Sequence, residues 1–196
     1  MLKDIAKSYQ SEWNAFRLFG DGDALSVIYH DNFDLLFNYG RKFCHEDFLI
    51  EDAIQNVFTN LIKIRDHCVD IENIKFYLLA SFRNELFELI RKNRRVFKKQ
   101  NFLEIFFKPD DTIEDEMVEN ENRMHIQAIL NKSLHKLTPH QQEIIYLKFE
   151  VGLSYEEISK TMNISIESCR SAVYRIIKSL KADIDHSSNQ SLHPAF

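Results

Sequence analysis

Glycine and proline are scarce in this sequence, with four and three among 196 residues. Because turns and sheet connections depend on these residues, their scarcity favours long helices joined by few tight turns. Three widely spaced cysteines (Cys44, Cys68 and Cys169) indicate neither a disulfide framework nor a zinc site. No run of about 18 apolar residues occurs, which predicts no membrane span. The N-terminal residues lack a basic start followed by an apolar stretch, so we expect a cytoplasmic chain.

Signatures of catalysis are also missing. The sequence contains no glycine-rich phosphate loop, no GxSxG motif and no HExxH motif. His30-Asp31 is the one place where a histidine directly precedes an aspartate, but no further metal-binding side chains are placed convincingly to join them. The sequence therefore predicts a protein that is not an enzyme and needs no cofactor or metal, with His30 as a surface or packing residue.

Charge is segregated along the chain, although the net charge is only -5. Residues 83–99 carry seven basic side chains against two acidic ones, a local charge of +5. Residues 110–121 carry seven acids and no base, and such a stretch buries too little apolar surface to order itself. We therefore expect an acidic flexible linker over residues 96–122, with an apolar island at 102–107 that docks on this chain or on a partner.

Apolar residues on both sides of this linker recur every three or four positions, which is the period of a helix. The pattern predicts an all-α chain of two small helical domains, residues 1–95 and 123–184, followed by a disordered tail over 185–196. No segment alternates with period two, so no strand is predicted. The expected helices cover residues 12–19, 24–43, 47–65 and 74–94, and then 123–135, 139–149, 155–162 and 165–184.

Residues 153–180 have the pattern of a helix-turn-helix. Ser154 precedes Glu157 by three positions, the spacing of a capping box. Ser159 is small enough for a close helix approach, and Asn163 tolerates the left-handed backbone that a tight turn needs. On the second helix Cys169 or Ala172, then Val173, Ile176 and Ile177, are predicted to face the core. The predicted outer face is polar and comprises Ser165, Glu167, Ser168, Arg170, Ser171, Tyr174, Arg175 and Lys178.

Such an outer face can enter the major groove of DNA, where the first turns of the helix meet base edges. We predict Arg170 at base edges or the adjacent backbone. Arg175 and Lys178, further along, suit phosphates, which position a helix without reading sequence. An ordinary helical hairpin with a solvated polar face is the plainer alternative.

Three segments resemble the extracytoplasmic-function sigma factors, and the amino-acid composition is similar to that of members from Bacteroidetes. LTPHQQEIIYLKFEVGLSYEEIS (residues 137–159) resembles their C-terminal domain, IEDAIQNVF (50–58) their polymerase-binding helix, and IKFYLLASFRN with ELIR (74–84 and 88–91) their −10-recognising helix. The resemblance covers about residues 24–95 and 123–183. Ser159 and Asn163 stand where many relatives carry alanine and glycine.

The resemblance implies an alternative sigma factor whose partners are core RNA polymerase, through its beta-prime clamp and beta flap, and promoter DNA. An anti-sigma protein is a further expected partner. Asp52, Gln55, Asn56 and Thr59 lie outward at helical spacing and are predicted to bind polymerase. The −10 region is predicted to bind Lys75, Phe76, Arg83, Asn84, Arg91, Arg94 and Arg95, and the −35 element to bind the outer face named above.

Two other classes compete with this interpretation. A helix-turn-helix regulator that works without polymerase explains the second half but leaves the motifs of the first half as coincidence. A helical adaptor that binds only proteins is the other class, and an absence of DNA binding with polymerase present would favour it.

Overall fold

The computed structural model describes residues 2–65, 71–93 and 120–191, with side chains for residues 11–65, 71–93 and 126–186. These described parts are built of helices and hold no strand, which confirms the predicted all-α fold class. They belong to two compact units, Met1–Phe102 (unit 1) and Leu103–Phe196 (unit 2). Most of the predicted acidic linker falls outside the described residues, and the exact domain boundaries stay predictions. No helix in the described part combines the length and apolar character needed to cross a bilayer.

Unit 1 contains four described helices, and each ends close to its predicted position. They are α1 (Leu2–Phe19), α2 (Gly22–Gly40), α3 (Asp47–Ile64) and α4 (Ile74–Lys92). The side chain of Asp21 accepts hydrogen bonds from the first amides of α2, and Asn73 accepts one from the Phe76 amide of α4. α1 begins ten residues earlier than predicted, because residues 2–11 contain no glycine or proline to interrupt it.

The core of unit 1 forms where α3 packs against α4 and α2. All six residues predicted on the inner face of α3 are buried: Ile50, Ala53, Ile54, Val57, Phe58 and Leu61. Gly40 lets the end of α2 approach closely, since a Cβ there would lie 2.8 Å from Ile50 Cγ2 and 2.9 Å from Phe82 Cζ. Within the described residues, this packing leaves the outer face of α3 exposed, together with Asn84, Arg91 and Lys92 of α4.

Unit 2 contains α5 (Asn120–His135), α6 (Pro139–Ile145), a π-helix (Tyr146–Glu150), α7 (Tyr155–Met162) and α8 (Ile166–Ser191). Thr138 caps α6 as predicted, with the Gln141 amide donating to its hydroxyl. The single helix predicted over residues 139–149 is wrong in its last part, because the Val151 amide bonds to the Tyr146 carbonyl five residues back. Gly152, at φ 82°, then ends the helix as its place in the sequence predicted.

Two boundaries in unit 2 also differ from prediction. α5 starts at Asn120, inside the predicted linker, because asparagine and an acid such as Glu121 suit the positive end of a helix. α8 continues to Ser191, although a disordered tail was predicted from residue 185. No glycine or proline interrupts residues 185–191, and extending an existing helix costs little.

The core of unit 2 brings α5, α6, α7 and α8 together. Leu134, Ile145 and Ile176 form a buried cluster, and Leu130, Leu137 and Leu180 pack around it. The buried Gln142 amide donates to the carbonyls of Leu134 and Leu137, at 2.9 and 3.3 Å. These bonds tie the start of α6 to the end of α5 and to the turn that follows it.

A polar contact reinforces the packing of α8 on α5. Asp183 accepts hydrogen bonds from the buried Ser133 hydroxyl at 2.5 Å and from the Lys136 ammonium at 3.1 Å. The Ser133 hydrogen bond, followed by that from Lys136, lowers the pKa of Asp183 below its usual value. Because the folded pKa is depressed, this stabilisation is present above the unfolded pKa and is lost as pH falls through the folded one.

We therefore expect Asp183→Asn to lower the unfolding temperature of the full chain at pH 7, as measured by calorimetry. The difference from the parent chain should shrink as the pH falls through the acid range, because protonation removes the same interaction from the parent. Asp185→Asn, which removes an exposed acid from the same helix, is the matched control and should have little effect. A deficit for Asp183→Asn that is equally large at all pH values would contradict this role.

Candidate nucleic-acid interface

A short turn connects α7 to α8 and sets the direction of α8. Ser154 caps α7 through the predicted capping box, with the Glu157 amide donating to its hydroxyl at 3.1 Å. Asn163 adopts the predicted left-handed conformation at φ 53° and ψ 50°. The Ile164 amide then donates to the carbonyl of Ser159, which is buried as its small size predicted. These observations confirm the turn geometry of a helix-turn-helix.

One stripe of α8 is buried against the rest of unit 2. Cys169, Val173 and Ile176 are almost fully buried, whereas Ala172 and Ile177 are half-buried. Cys169 therefore takes the first core position, which the sequence left open between Cys169 and Ala172. Burial raises the pKa of the Cys169 thiol, so it stays protonated and packs as a small apolar residue.

The opposite side of α8 is exposed, as predicted. The exposed set comprises Ser165, Glu167, Ser168, Arg170, Ser171, Tyr174, Arg175 and Lys178. Ser165 precedes the helix and caps it, since its hydroxyl accepts the Ser168 amide at 3.1 Å. Arg170, Ser171, Tyr174 and Arg175 line a shallow open hollow, with the Tyr174 ring 67% exposed beside it. This surface offers donors, acceptors and an aromatic ring on one helix face, as readout of a DNA groove requires.

The sequence did not single out a cluster that lies beside this surface. The Lys148 ammonium lies 4.6 Å from the ring centre of Tyr155, and the Arg170 guanidinium lies 5.7 Å from it. The Lys148 ammonium also donates to the Leu153 carbonyl at 3.0 Å. Lys148, Tyr155 and Arg170 belong to three different helices, so the period of no single helix relates them and only the fold brings them together.

Part of the predicted −10 set shares one side of α4. At 3.6 residues per turn, Phe76, Arg83, Asn84 and Arg91 fall in one sector. Lys75 lies outside that sector, because it precedes the buried Leu78 and Leu79 by three and four residues on the packed side of the helix. Arg94 and Arg95 lie outside the described residues.

Two arginines in this sector have partners within α4. The Arg83 guanidinium lies 4.7 Å from the ring centre of Phe87, which holds it against the helix surface. The exposed Arg91 forms an ion pair with Glu88 at 2.7 Å, and this contact lowers the pKa of Glu88. The sector therefore presents an aromatic-supported arginine beside the exposed amide of Asn84.

The outer face of α3 carries the four residues predicted to bind polymerase, and all four are exposed: Asp52, Gln55, Asn56 and Thr59. Asn56 donates to Glu85 of α4 at 3.0 Å, so this residue also links the two helices. Phe48 and Ile62 are 62% and 53% exposed and continue the stripe of Asp52, Gln55 and Thr59 at both ends. Phe58, which the sequence assigned to the core, is buried.

Within the described residues, no group of three or more His, Cys, Asp or Glu side chains is placed to hold a metal ion. His30 is exposed, and its ring contacts the edge of the Tyr29 ring at 5.6 Å. Cys44 and Cys169 are buried free thiols, and Cys68 lies outside the described residues.

Comparison with known proteins adds a sequence relationship to this geometry. Residues 127–180 match the family described as sigma-70, region 4, and this range contains α6, α7 and the first half of α8. The chain is also 23% identical, over 167 residues, to the ECF RNA polymerase sigma factor SigM of Bacillus subtilis (strain 168). That alignment covers 81% of this chain and 93% of the relative, so it includes unit 1 as well as unit 2.

One solved structure supports the fold. CnrH, solved in complex with the cytosolic domain of CnrY, matches with a TM-score of 0.54 at 18% identity. The match covers 89% of this chain and 96% of that one. The sigma factor RpoE from Bartonella quintana, solved with the anti-sigma factor NepR, has a TM-score of 0.48 at 21% identity and covers 78% and 91% of the two chains.

Proposed function

We propose that this chain, an alternative sigma factor of the extracytoplasmic-function type, binds core RNA polymerase and directs it to a set of promoters. One combined observation carries the proposal. Unit 2 contains a helix-turn-helix that matches sigma-70 region 4, and the alignment with the Bacillus subtilis relative includes unit 1 as well. A DNA-reading unit alone would not need the preceding helices. The proposal assigns no chemical reaction to the chain.

We assign polymerase docking to the outer face of α3. Asp52, Gln55 and Thr59 are exposed there and make no hydrogen bond or ion pair to other described residues. Large apolar side chains, Phe48 and Ile62, flank them on the same stripe, and exposed apolar groups within a polar surface are typical of protein interfaces. A face that was merely solvated would gain nothing from exposing them. The clamp of the polymerase is the proposed site, as the resemblance implies.

We assign contacts with the opened −10 region to α4. Single-stranded DNA is held by basic side chains together with aromatic platforms. Phe76, Arg83, Asn84 and Arg91 supply these groups on one sector, and the basic residues Arg94 and Arg95 follow in the sequence. Lys75 has weaker support, because it lies toward the packed side of the helix.

We assign the −35 element to the exposed side of α8. Arg170 and Ser171 lie in the first two turns, where a recognition helix meets base edges. Arg175 and Lys178 lie one to two turns further and suit phosphate contacts. The seven acids of residues 110–121 would enter a basic channel of the polymerase.

Three finer assignments accompany the proposal. A protein that holds the factor inactive is a proposed partner, in line with the family resemblance. A cytoplasmic location follows from the proposed work on polymerase. A relationship to members from Bacteroidetes is supported only by composition, including 16 phenylalanines.

The competing function is a helix-turn-helix regulator that binds DNA without polymerase. The geometry of unit 2 is compatible with it. It gives no role to the exposed stripe of α3, whereas the sigma-factor proposal uses that stripe. Co-purification with core polymerase separates the two functions.

Replacement of Asp52 and Gln55 by alanine tests the docking face. We expect the double variant to bind core polymerase about tenfold or more weakly in a fluorescence titration, since two central interface side chains are lost. Its thermal unfolding should match that of the parent, because both side chains point to solvent. Asn60→Ala, which removes an exposed side chain of α3 outside the stripe, is the matched control. Equal affinities for the double variant, the control and the parent would refute the assigned face.

Arg170→Ala and Lys178→Ala should weaken DNA binding in different ways. Loss of a base-reading arginine should cost about 1–3 kcal/mol and relax the preference at one base pair. Loss of a phosphate-binding lysine should weaken all sequences alike and reduce the slope of log affinity against log salt by about one. The measurement is a titration of the polymerase complex on duplexes with single −35 changes at several salt concentrations.

Lys132→Ala removes an exposed lysine of α5 and controls for the change in net charge. If Lys178→Ala and Lys132→Ala reduce the salt slope equally, Lys178 does not contact phosphate. If Arg170→Ala weakens every duplex by the same factor, this residue does not read a base.

A further inference from the structure

The ring of Tyr155 links the two helices of the helix-turn-helix through side chains. Tyr155 is the first residue of α7, and Arg170 lies in the second turn of α8. The guanidinium of Arg170 is 5.7 Å from the ring centre, within the range of an attractive cation–π contact. No assignment made above gives this ring a role, although it touches the residue placed at the base edges.

An exposed arginine on a free helix surface has many rotamers, and ordering it on binding costs entropy. A contact that already holds the guanidinium in the free protein lowers that cost and favours one orientation. The Tyr155 ring is half-buried, so the fold holds it more firmly than the exposed Arg170. The Tyr155 ring can therefore act as a fixed contact that orients the more mobile Arg170 side chain.

Lys148 limits how Arg170 can use this support. Its ammonium is fixed by the Leu153 carbonyl at 3.0 Å and takes the closer place over the ring, at 4.6 Å. Like charges repel, so Lys148 disfavours any rotamer that brings Arg170 deeper over the ring. Attraction by the ring and repulsion by Lys148 together hold the guanidinium at the outer edge of the cluster, beside the hollow that it lines with Ser171 and Tyr174.

We propose that Tyr155 is a positioning residue for base readout, whose ring orients Arg170 toward a guanine of the −35 element. Guanine is the base that arginine recognises most often, through paired hydrogen bonds to O6 and N7 that depend on the orientation of the guanidinium. This inference rests on the proposed function, because it takes Arg170 as a reader of promoter DNA. Tyr155 acts through Arg170, and its hydroxyl is not needed.

The test compares Tyr155→Leu, Tyr155→Phe, Arg170→Ala and the double variant Tyr155→Leu/Arg170→Ala. Each full chain is combined with core polymerase and titrated on duplexes that differ at single base pairs of the −35 element. Arg170→Ala first identifies the base pair at which the guanine preference is lost. Tyr155→Leu should reduce the preference at that same base pair by about two- to fivefold, the size expected for an exposed cation–π contact.

The remaining variants separate the ring from other roles. Tyr155→Phe keeps the ring and should retain the guanine preference of the parent. The double variant should show no greater loss at that base pair than Arg170→Ala alone, because both changes disable one interaction. Phe149→Leu, which replaces another exposed aromatic side chain of unit 2 by an aliphatic one, should leave the guanine preference unchanged. Thermal unfolding checks that Tyr155→Leu is folded.

Three results would overturn the proposal. If Tyr155→Phe loses as much preference as Tyr155→Leu, the hydroxyl is the acting group. If Tyr155→Leu weakens all duplexes equally and leaves the preference intact, the ring serves stability or phosphate binding. If Arg170→Ala itself changes no preference, the assignment of Arg170 as reader fails, and the positioning role fails with it. Docking of the chain on polymerase is measured separately and is unaffected by that last outcome.

Discussion

The burial of one stripe of α8 is the constraint on which the DNA-facing surface depends. Cys169, Val173 and Ile176 occur at helical spacing and fill the core against α6 and α7. Once they are buried, the geometry of a helix forces Arg170, Tyr174 and Lys178 to the opposite side. The left-handed turn at Asn163 and the contact between Asp183 and Ser133 then fix both ends of the buried stretch. The exposed surface thus follows from what the core requires.

In unit 1 the burial of one face likewise determines which residues are exposed, and this applies to two helices, α3 and α4. The inner face of α3 is filled with apolar residues, so its polar stripe faces outward and is available to a large partner. α4 buries Leu78, Phe82 and Leu86 and turns Arg83 and Asn84 away from the core. Charge adds a second level of organisation along the sequence, since the basic segment (residues 83–99) is followed by the acidic segment (residues 110–121). Each unit therefore has its own surface, and a shared partner would bring the two surfaces to one promoter.

Much of the fold could be predicted because its signals are local. The caps at Thr138 and Ser154, the turn at Asn163 and the apolar period of α3 each depend on residues within one or two turns of the chain. Helix ends were less predictable, as α8 shows by continuing through polar residues to Ser191, because no strong stop signal lies there. The π-helix after Ile145 escaped prediction, since the same apolar residues suit an α-helix.

In the candidate site, as in the fold, local features could be predicted and tertiary contacts could not. The exposed residues of α8 follow from helical period alone, whereas the ring of Tyr155 meets Arg170 only through the tertiary fold. Lys75 shows that closeness in sequence does not place residues on one surface, because this lysine lies on a different side of the helix from Arg83 and Arg91. The contacts of all these residues with polymerase and DNA remain predictions, because they depend on partners rather than on the chain.

The most direct test of the sigma-factor account is an anisotropy titration of duplex promoter DNA at about physiological salt. The DNA is selected from a random library with the chain and core polymerase together, and it is then titrated with the chain alone, core alone and both. The account predicts sequence-specific binding only when both are present, because polymerase would fix the spacing at which the two units engage the promoter. Tight, sequence-specific binding by the chain alone would contradict it and would favour an independent regulator.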